Sequence, residues 1–317
     1  MGQEKFTFKG SDKREVCAWL WGDASEQPAG VLQIFHGMAE HAARYTEFAQ
    51  YLNTQGIFVY ACDQRGHGLT GEMNKDLSHL ESGGFNGIIK DQRVLSELIR
   101  EKHPNVPLFI LGHSFGSFLA QEYTKRYADS IAGVILTGSS LLKSMEIKAG
   151  LLLVSLSMLF GKRRQNRLLD LLVFGSYNRR VSHPASKFSW LSRDMEQVLK
   201  YEEDPFCGMV MSTGFFHCFF TGLSDLFINS DDAKIKTDLP ICILSGGSDP
   251  VGKYGTGTTT LYERYRNAGC KDIFFKLYKG ARHEIINEIN REEVYREISA
   301  WLNKCIAKTE HFTNADA

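Results

Sequence analysis

The strongest constraint on the fold is a succession of short, uninterrupted apolar runs after Pro28, at residues 31–35, 57–62, 108–111, 134–137, 241–244 and 273–278. A strand that is apolar at every position has no face to offer water, so each must be covered on both sides. Most of the intervening stretches have helical length, and residues 42–54, 85–102, 115–127, 258–268 and 291–306 read as helices. In the last of them Val294, Ile298, Trp301, Leu302, Cys305 and Ile306 recur on one face at helical spacing. Such alternation predicts an α/β fold, a mostly parallel sheet with helices on both faces. Ahead of it, residues 6–9 and 16–21 are β-prone and flank a polar segment at 10–14, which predicts an antiparallel hairpin.

One interval breaks the rhythm. Residues 139–237 show no strand and helix alternation, although connections in such folds usually take only ~2–6 residues. We read this interval as a helical cap inserted into a core made of residues 1–138 and 238–308, with 309–317 as a frayed tail. The cap carries an apolar run from Ala149 to Gly161, the basic triplet Lys162-Arg163-Arg164, the pair Arg179-Arg180 and an aromatic patch at 215–220. The apolar run is shorter than the ~20 residues that span a bilayer.

Composition removes several function classes. The 37 Lys and Arg balance the 37 Asp and Glu, so the basic excess that a nucleic-acid binder uses to displace counterions is missing. Apolar residues at 43% and charged residues at 23% exclude a disordered or collagen-like chain. The start, MGQEKFTFKG, has no basic segment leading into an apolar run and therefore does not read as a signal peptide. Phe6 stands where a myristoylation motif requires Ser or Thr. Seven scattered cysteines with no C-x-x-C pair fit free thiols in a reducing cytoplasm.

The chemistry centres on residues 108–116. The apolar run ends in Gly112-His113-Ser114-Phe115-Gly116, and a helix-compatible segment follows. G-x-S-x-G between a strand and a helix is a nucleophile elbow: a tight turn exposes the serine, and the close approach of strand and helix leaves no room for side chains two residues before and after. Gly112 and Gly116 occupy those two positions. A serine hydroxyl needs a base to take its proton, and the base needs an orienting carboxylate. On such a sheet the chain order is Ser, acid, His. His283 and His311 come late enough, and His311 belongs to the tail, so His283 is the expected base. It follows the last β-prone run, at a strand's carboxyl end. The acid should end the preceding strand, where Ser245-Gly246-Gly247-Ser248 leads to Asp249; Asp238 and Asp272 fall at the opposite end of the sheet.

Charge developing on a carbonyl oxygen needs two preset N–H donors. The expected donors are Phe115, after the nucleophile, and Met38, in the loop His36-Gly37-Met38 that follows the first parallel strand. His36 and His41, five residues apart, do not make a helical zinc pair, and nothing nearby is expected to complete a metal site, so neither metal nor cofactor is implied. The loop Asp63-Gln64-Arg65-Gly66-His67-Gly68 reads as a scaffold that supports the nucleophile loop through hydrogen bonds. Gly255-Thr256-Gly257 lacks the lysine of a phosphate-binding loop.

With these residues in place, the chain resembles the α/β-hydrolases of the monoacylglycerol lipase and lysophospholipase family. HGMAEHAARY is similar to the family's HG-x-x-EH-x-x-RY oxyanion-loop motif, ACDQRGHG to D-x-RGHG and GHSFGS to its GHS-x-G elbow. GGSDPVG and GARHEIINE resemble the acid and base loops, and WLSRDMEQVLKYEEDPFCG a stretch of the cap. The resemblance runs from Val31 to Leu302. It implies an eight-stranded sheet and a Ser114, His283, Asp249 esterase acting on lipid-like monoesters through an acyl-enzyme. Departures at Ser117, Thr70 and the TGSS segment after the fourth parallel strand affect pocket shape and remove no catalytic atom. In that setting the run from Ala149 reads as an amphipathic cap helix lining the acyl pocket, and its basic flank suits transient contact with an anionic membrane surface. The triad does not encode the leaving group, so a short-chain ester, thioester or amide, or ligand binding without turnover, are the alternative readings.

Overall fold

The computed structural model of the chain describes residues 2–23, 25–81 and 83–315, and side chains as far as Thr309. The hairpin is formed by β1 (Gln3–Lys9) and β2 (Glu15–Trp21). It is followed by β3 (Gly30–Phe35), β4 (Ile57–Cys62), β5 (Leu108–His113), β6 (Gly133–Thr137), β7 (Ile241–Gly246) and β8 (Ile273–Tyr278). These strands make one eight-stranded sheet in the order β1-β2-β4-β3-β5-β6-β7-β8. β2 runs antiparallel to β4, and β4 through β8 are mutually parallel.

Between the strands lie α1 (Thr46–Asn53), α2 (Gly68–Met73), α3 (Gly84–Lys102) and α4 (Phe115–Tyr127). The stretch between β6 and β7 holds α5 (Ser144–Met158), α6 (Arg167–Phe174), α7 (Met195–Glu203) and α8 (Thr213–Phe227), and the chain closes with α9 (Thr256–Asn267) and α10 (Arg291–Ala315).

The all-apolar runs become strands because the pleat sends successive side chains to opposite faces, and both faces are dry. Val31, Ile110, Leu136 and Ile243 enter one core with α3, α4, α8 and α9. Leu32, Leu111, Ile135 and Leu244 enter the other, with α1 and α10. Strand β8, at the edge, is half-buried over most of its length, since it has a neighbour on one side only. The order reverses at β3: the chain leaves it toward β4 on one side and returns as β5 on the other. The loops after β3 and β5 therefore diverge, and an open crevice forms at that switch point.

Two expectations are corrected. Residues 309–315 continue α10 rather than fray. The segment contains no Gly or Pro to stop a helix, and Lys308 is anchored by Asp272 at 2.6 Å; residues 316–317 lie outside the described part. The run from Ala149 forms α5 but does not line the cavity at Ser114; α6 does. Nor is α5 amphipathic. It buries Ile147, Gly150 and Val154 and leaves Leu152, Leu153 and Leu156 to solvent. Its contact with α8 is close: a Cβ on Gly150 would stand 2.3 Å from the Phe220 ring. Among the described residues no helix is long and apolar enough to cross a membrane.

Candidate active site

Ser114 links β5 to α4 as the residue before the first helical turn, with φ 53° and ψ −118°. A non-glycine residue in that region is strained, and the surroundings hold it there. Its N–H donates to Thr137 O at 2.9 Å, and the Ser117 hydroxyl donates to Ser114 O at 2.6 Å. A Cβ on Gly116 would lie 1.9 Å from Phe35 O, and one on Gly112 would lie 2.5 Å from Gly116 O. Only glycine permits this approach of α4 to β3 and β5. Phe115 is the first residue of α4, so its N–H has no acceptor within the helix.

Gly37 N–H donates to Glu40 Oε1 at 2.5 Å, which curls the loop after β3 beside the elbow. The imidazole of His36 takes the Gln64 N–H at Nε2 (2.9 Å), so the proton on its Nδ1 goes to Gly37 O (2.8 Å). The Gln64 amide also donates to His36 O at 2.6 Å. The 63–68 loop thus hydrogen-bonds to the loop after β3, not to the nucleophile loop as expected, because β4 is the neighbour of β3. It reaches the elbow by packing instead, with His67 stacked on Phe115 at 6.2 Å.

His283, in the loop after β8, is buried, and its Nδ1 donates to Asp249 Oδ1 at 3.0 Å. Asp249 also accepts the Val251 N–H at 2.8 Å and faces the Ser245 hydroxyl at 3.2 Å. Burial alone would raise the carboxyl, but the His283 contact and these hydrogen bonds hold it below its ordinary value. For His283 burial acts downward, and it is outweighed by Asp249 and by the nearby Glu284 and Glu40, so the imidazole sits above its ordinary value. Trp190 and His113 flank the ring, with centroids at 5.0 and 4.7 Å. Gly138, at φ 57°, closes the remaining side: a Cβ there would meet His283 Cε1 at 2.8 Å. His311, the rival base, falls in α10, and its side chain is outside the described part.

Ser114, His283, Met38, Gly37 and His113 line one cavity of about 430 Å³. Its other walls include Leu171 and Phe174 of α6, then Phe188, Trp190, Met209 and Val210. Beneath it lies a buried ionic cluster. Arg44 binds both oxygens of Glu284 at 2.7 Å and donates to Glu40 Oε2 at 2.5 Å. Tyr45 donates to Glu40 Oε1 at 2.9 Å. Burial would raise both carboxyls, but Arg44 prevails and keeps them below the usual range. Glu40 and Arg44 stand in the HGMAEHAARY motif and Glu284 in GARHEIINE, yet a role for them depends on loops that are distant in sequence and adjacent only in space. Trp190 opens the cap stretch WLSRDMEQVLKYEEDPFCG and Gly138 lies in the TGSS segment, but neither stretch indicated contact with the base.

His41 also acquires unexpected neighbours. Its Nε2 donates to Asp204 Oδ2 at 2.8 Å, and these two atoms and Cys207 Sγ lie within 4.8 Å of one another. Asp204 and Cys207 come from the far stretch that follows α7, so spacing around His41 could not reveal them.

The sequence profile of the family described as serine aminopeptidase, S33 matches residues 26–290. The chain is 28% identical to a monoacylglycerol lipase of Mycolicibacterium smegmatis over 303 residues, 95% of this chain and 97% of the relative. It is 24% identical to the phospholipase YtpA of Bacillus subtilis, over 91% of this chain and 100% of that protein. Among solved structures, a thermostable carboxyl esterase from Bacillus coagulans superposes with a TM-score of 0.87 at 26% identity, covering 96% of this chain and 99% of that one.

Proposed function

The chain belongs to this family of α/β-hydrolases, and from that premise we propose that it is a serine carboxylic-ester hydrolase that cleaves monoacylglycerol or lysophospholipid-like monoesters. The observation that carries the reading is a single largely apolar cavity onto which both the strained Ser114 and the Asp249-bonded His283 open. Ser114 Oγ attacks the ester carbonyl while His283 removes its proton, and Met38 and Phe115 N–H groups hold the oxyanion. His283 then protonates the leaving alcohol, and water releases the acid from the acyl-enzyme by the same steps. Asp249 orients the ring and stabilises the imidazolium. Leu171, Phe174, Phe188 and Val210 give an alkyl chain an apolar wall.

The names of the relatives, a monoacylglycerol lipase, a phospholipase and a carboxyl esterase, support the ester reading over the peptidase in the family's description. An aminopeptidase needs a free carboxylate for the substrate's ammonium group. Of the carboxyl groups at the cavity, Glu40 and Glu284 are committed to Arg44, and burial raises that of Asp170 above its ordinary value. We take residues 139–237 as the cap over this cavity. Leu171 both lines the cavity and is 64% exposed, so the cap presents the entrance to a lipid surface. The seven cysteines are free, which supports a reducing compartment such as the cytoplasm.

Initial rates on acetyl to long-chain nitrophenyl esters, monoacylglycerol and lysophospholipid, against Ser114→Ala protein as the blank, test the reading. Preference for the long-chain monoesters is expected. A short-chain optimum would make the protein a general esterase, and no activity above the blank would leave a ligand-binding role.

A further inference from the structure

A second cavity, of about 320 Å³, lies between the cap and the loops that carry the acid and the base. Tyr177 and Arg180 form its cap side, Ser248 and Tyr254 its acid-loop side, and Arg193 and Arg282 its floor. Tyr177 packs on Trp190 at 4.8 Å, and Trp190 lines the Ser114 cavity, so the two spaces share an aromatic wall.

Three guanidinium groups converge here with one carboxylate to balance them. Arg193 is paired with the buried Glu288 at 2.9 Å. Arg282 gives Nη1 to the carbonyls of Ser189 and Ser192, at 2.6 and 2.8 Å. Arg180 lies over the Tyr254 ring at 3.8 Å. Neither Arg180 nor Arg282 has an ion pair among the described residues. The other charges nearby are occupied: Asp249 by His283, and Glu146 by Lys253. Burial pulls Arg282 below its ordinary value against the attraction of Glu288, and the like charge of Arg193 adds to the fall. The cavity therefore holds an excess of positive charge that an anion would relieve.

The walls are built at a conformational cost. Lys253 and Tyr254 have φ of 51° and 57°, and Gly255 follows at 89°. Two successive non-glycine residues in the left-handed region are uncommon and persist where surroundings enforce them. Tyr254 N–H is tied to Asp249 O at 2.8 Å, which sets its ring beneath Arg180. The Tyr177 phenol, buried and close to the Asp249 carboxylate, is pushed well up and stays a hydrogen-bond donor.

We propose that this second cavity binds a phosphate monoester, held by Arg180 and Arg282 with the two tyrosines as walls. Planar guanidinium groups match phosphate oxygens in pairs. A phosphate dianion offsets both uncompensated cations, where a carboxylate offsets one. Bound there, the phosphate joins residues 177–180 of the cap to the loops bearing Asp249 and His283. The phosphate can belong to a soluble compound or to the headgroup of a lysolipid.

Calorimetric titration of the full chain carrying Ser114→Ala, at fixed ionic strength in chloride, separates these sources. The probes are inorganic phosphate, glycerol 3-phosphate, and neutral detergent micelles with and without lysophosphatidate. Saturable binding at one site is expected, weakened about tenfold or more by Arg180→Gln, since a hydrogen bond to a charged group is lost. Binding of the two soluble probes assigns the site to a soluble phosphate; binding of the lysophosphatidate micelles alone assigns it to a headgroup. No saturable binding by any probe overturns the proposal, as does affinity unchanged in Arg180→Gln. Because Arg282 also braces two cap carbonyls, Arg180→Gln is the deciding variant, and Arg282→Gln is added only if its melting is cooperative.

Discussion

Four buried imidazoles surround Ser114, and their environments push them apart. Burial takes His36 and His67 down to about 3 and His113 to about 4, so all three are neutral from pH 5 upward. Burial acts on His283 in the same direction, yet the carboxylates of Asp249, Glu284 and Glu40 reverse it. A base must be neutral to accept the serine proton, so kcat/KM climbs as pH rises through the His283 value, which lies above the ordinary ~6.5. The same shift means the folded chain binds this proton more tightly than the unfolded one. The stability His283 contributes is present below ~6.5 and fades as pH rises through its folded value. Replacing Asp249 by Asn should lower turnover by ~10⁴, on the analogy of a comparable triad, and move any residual acid limb downward. A profile flat from pH 5 to 8 would remove His283 as the base, and a loss below tenfold at Asp249 would relocate the acid. Ser114, Asp249 and His283 were legible because each ends a strand whose apolar run marks it. Gly138 and Trp190 were not, since what they do is to confine a ring delivered by another loop, and one-dimensional spacing carries no such information.

Elements follow the same division. The six parallel strands were legible to within one or two residues because an all-apolar run has no competing conformation that keeps it dry, whereas β1, without such a run, starts three residues ahead of the expected 6–9. Helix α10 was legible in its apolar stripe but not in its length, where an absence of stop signals had to be weighed against terminal fraying. The cap was least legible. Its helix α5 has apolar residues on every side from Ala149 on, so periodicity could not say which side meets α8 and which meets solvent. Helix α8 joins the cap to the core: Phe215 and Phe219 pack on Phe115 at 5.5 and 5.7 Å, and Gly222 meets α3 so closely that a Cβ would be 2.4 Å from the Phe85 ring. Helix propensity alone favours Gly222→Ala by up to ~1 kcal/mol. Overpacking of a filled core costs ~1–3 kcal/mol, and Phe85 is buried and edge-on to Phe115 at 6.0 Å, so it would have to shift among packed neighbours. The substitution should therefore lower the urea midpoint and, through Phe115, slow turnover. A raised midpoint would show that α8 is not locked against α3.

At the scale of the whole molecule, the two ends of the proposed reaction path have opposite character. The acid and base assigned to it, Asp249 and His283, are buried, whereas the cap leaves a large apolar area in water. Leu152, Leu156, Leu159 and Phe160 are 64, 53, 81 and 76% exposed, and Leu168, Leu171 and Leu172 are 62, 64 and 56% exposed. A monomer surface seldom leaves so many large apolar side chains of one segment in water without a partner. Leu171 belongs to both this patch and the Ser114 cavity, so a membrane covering the patch would lie at the mouth through which a monoester enters. The basic triplet contributes less to such docking than its sequence promises, because Lys162 and Arg163 are held by Glu81 at 2.7 and 2.9 Å. Arg164 and Arg167 remain exposed beside the patch. Burial of one leucine or phenylalanine side chain is worth ~1.5–3 kcal/mol, while an interfacial cation adds ~1 kcal/mol on an anionic leaflet. Apolar insertion should thus dominate, with a smaller dependence on lipid charge. In vesicle sedimentation, the full chain is expected to bind phosphatidylcholine vesicles, to bind more as anionic lipid is added, and to lose at least about tenfold in affinity when Leu159 and Phe160 are both replaced by serine. Equal sedimentation of the parent and the double variant would place the contact elsewhere, and indifference to anionic lipid would remove the basic flank from it.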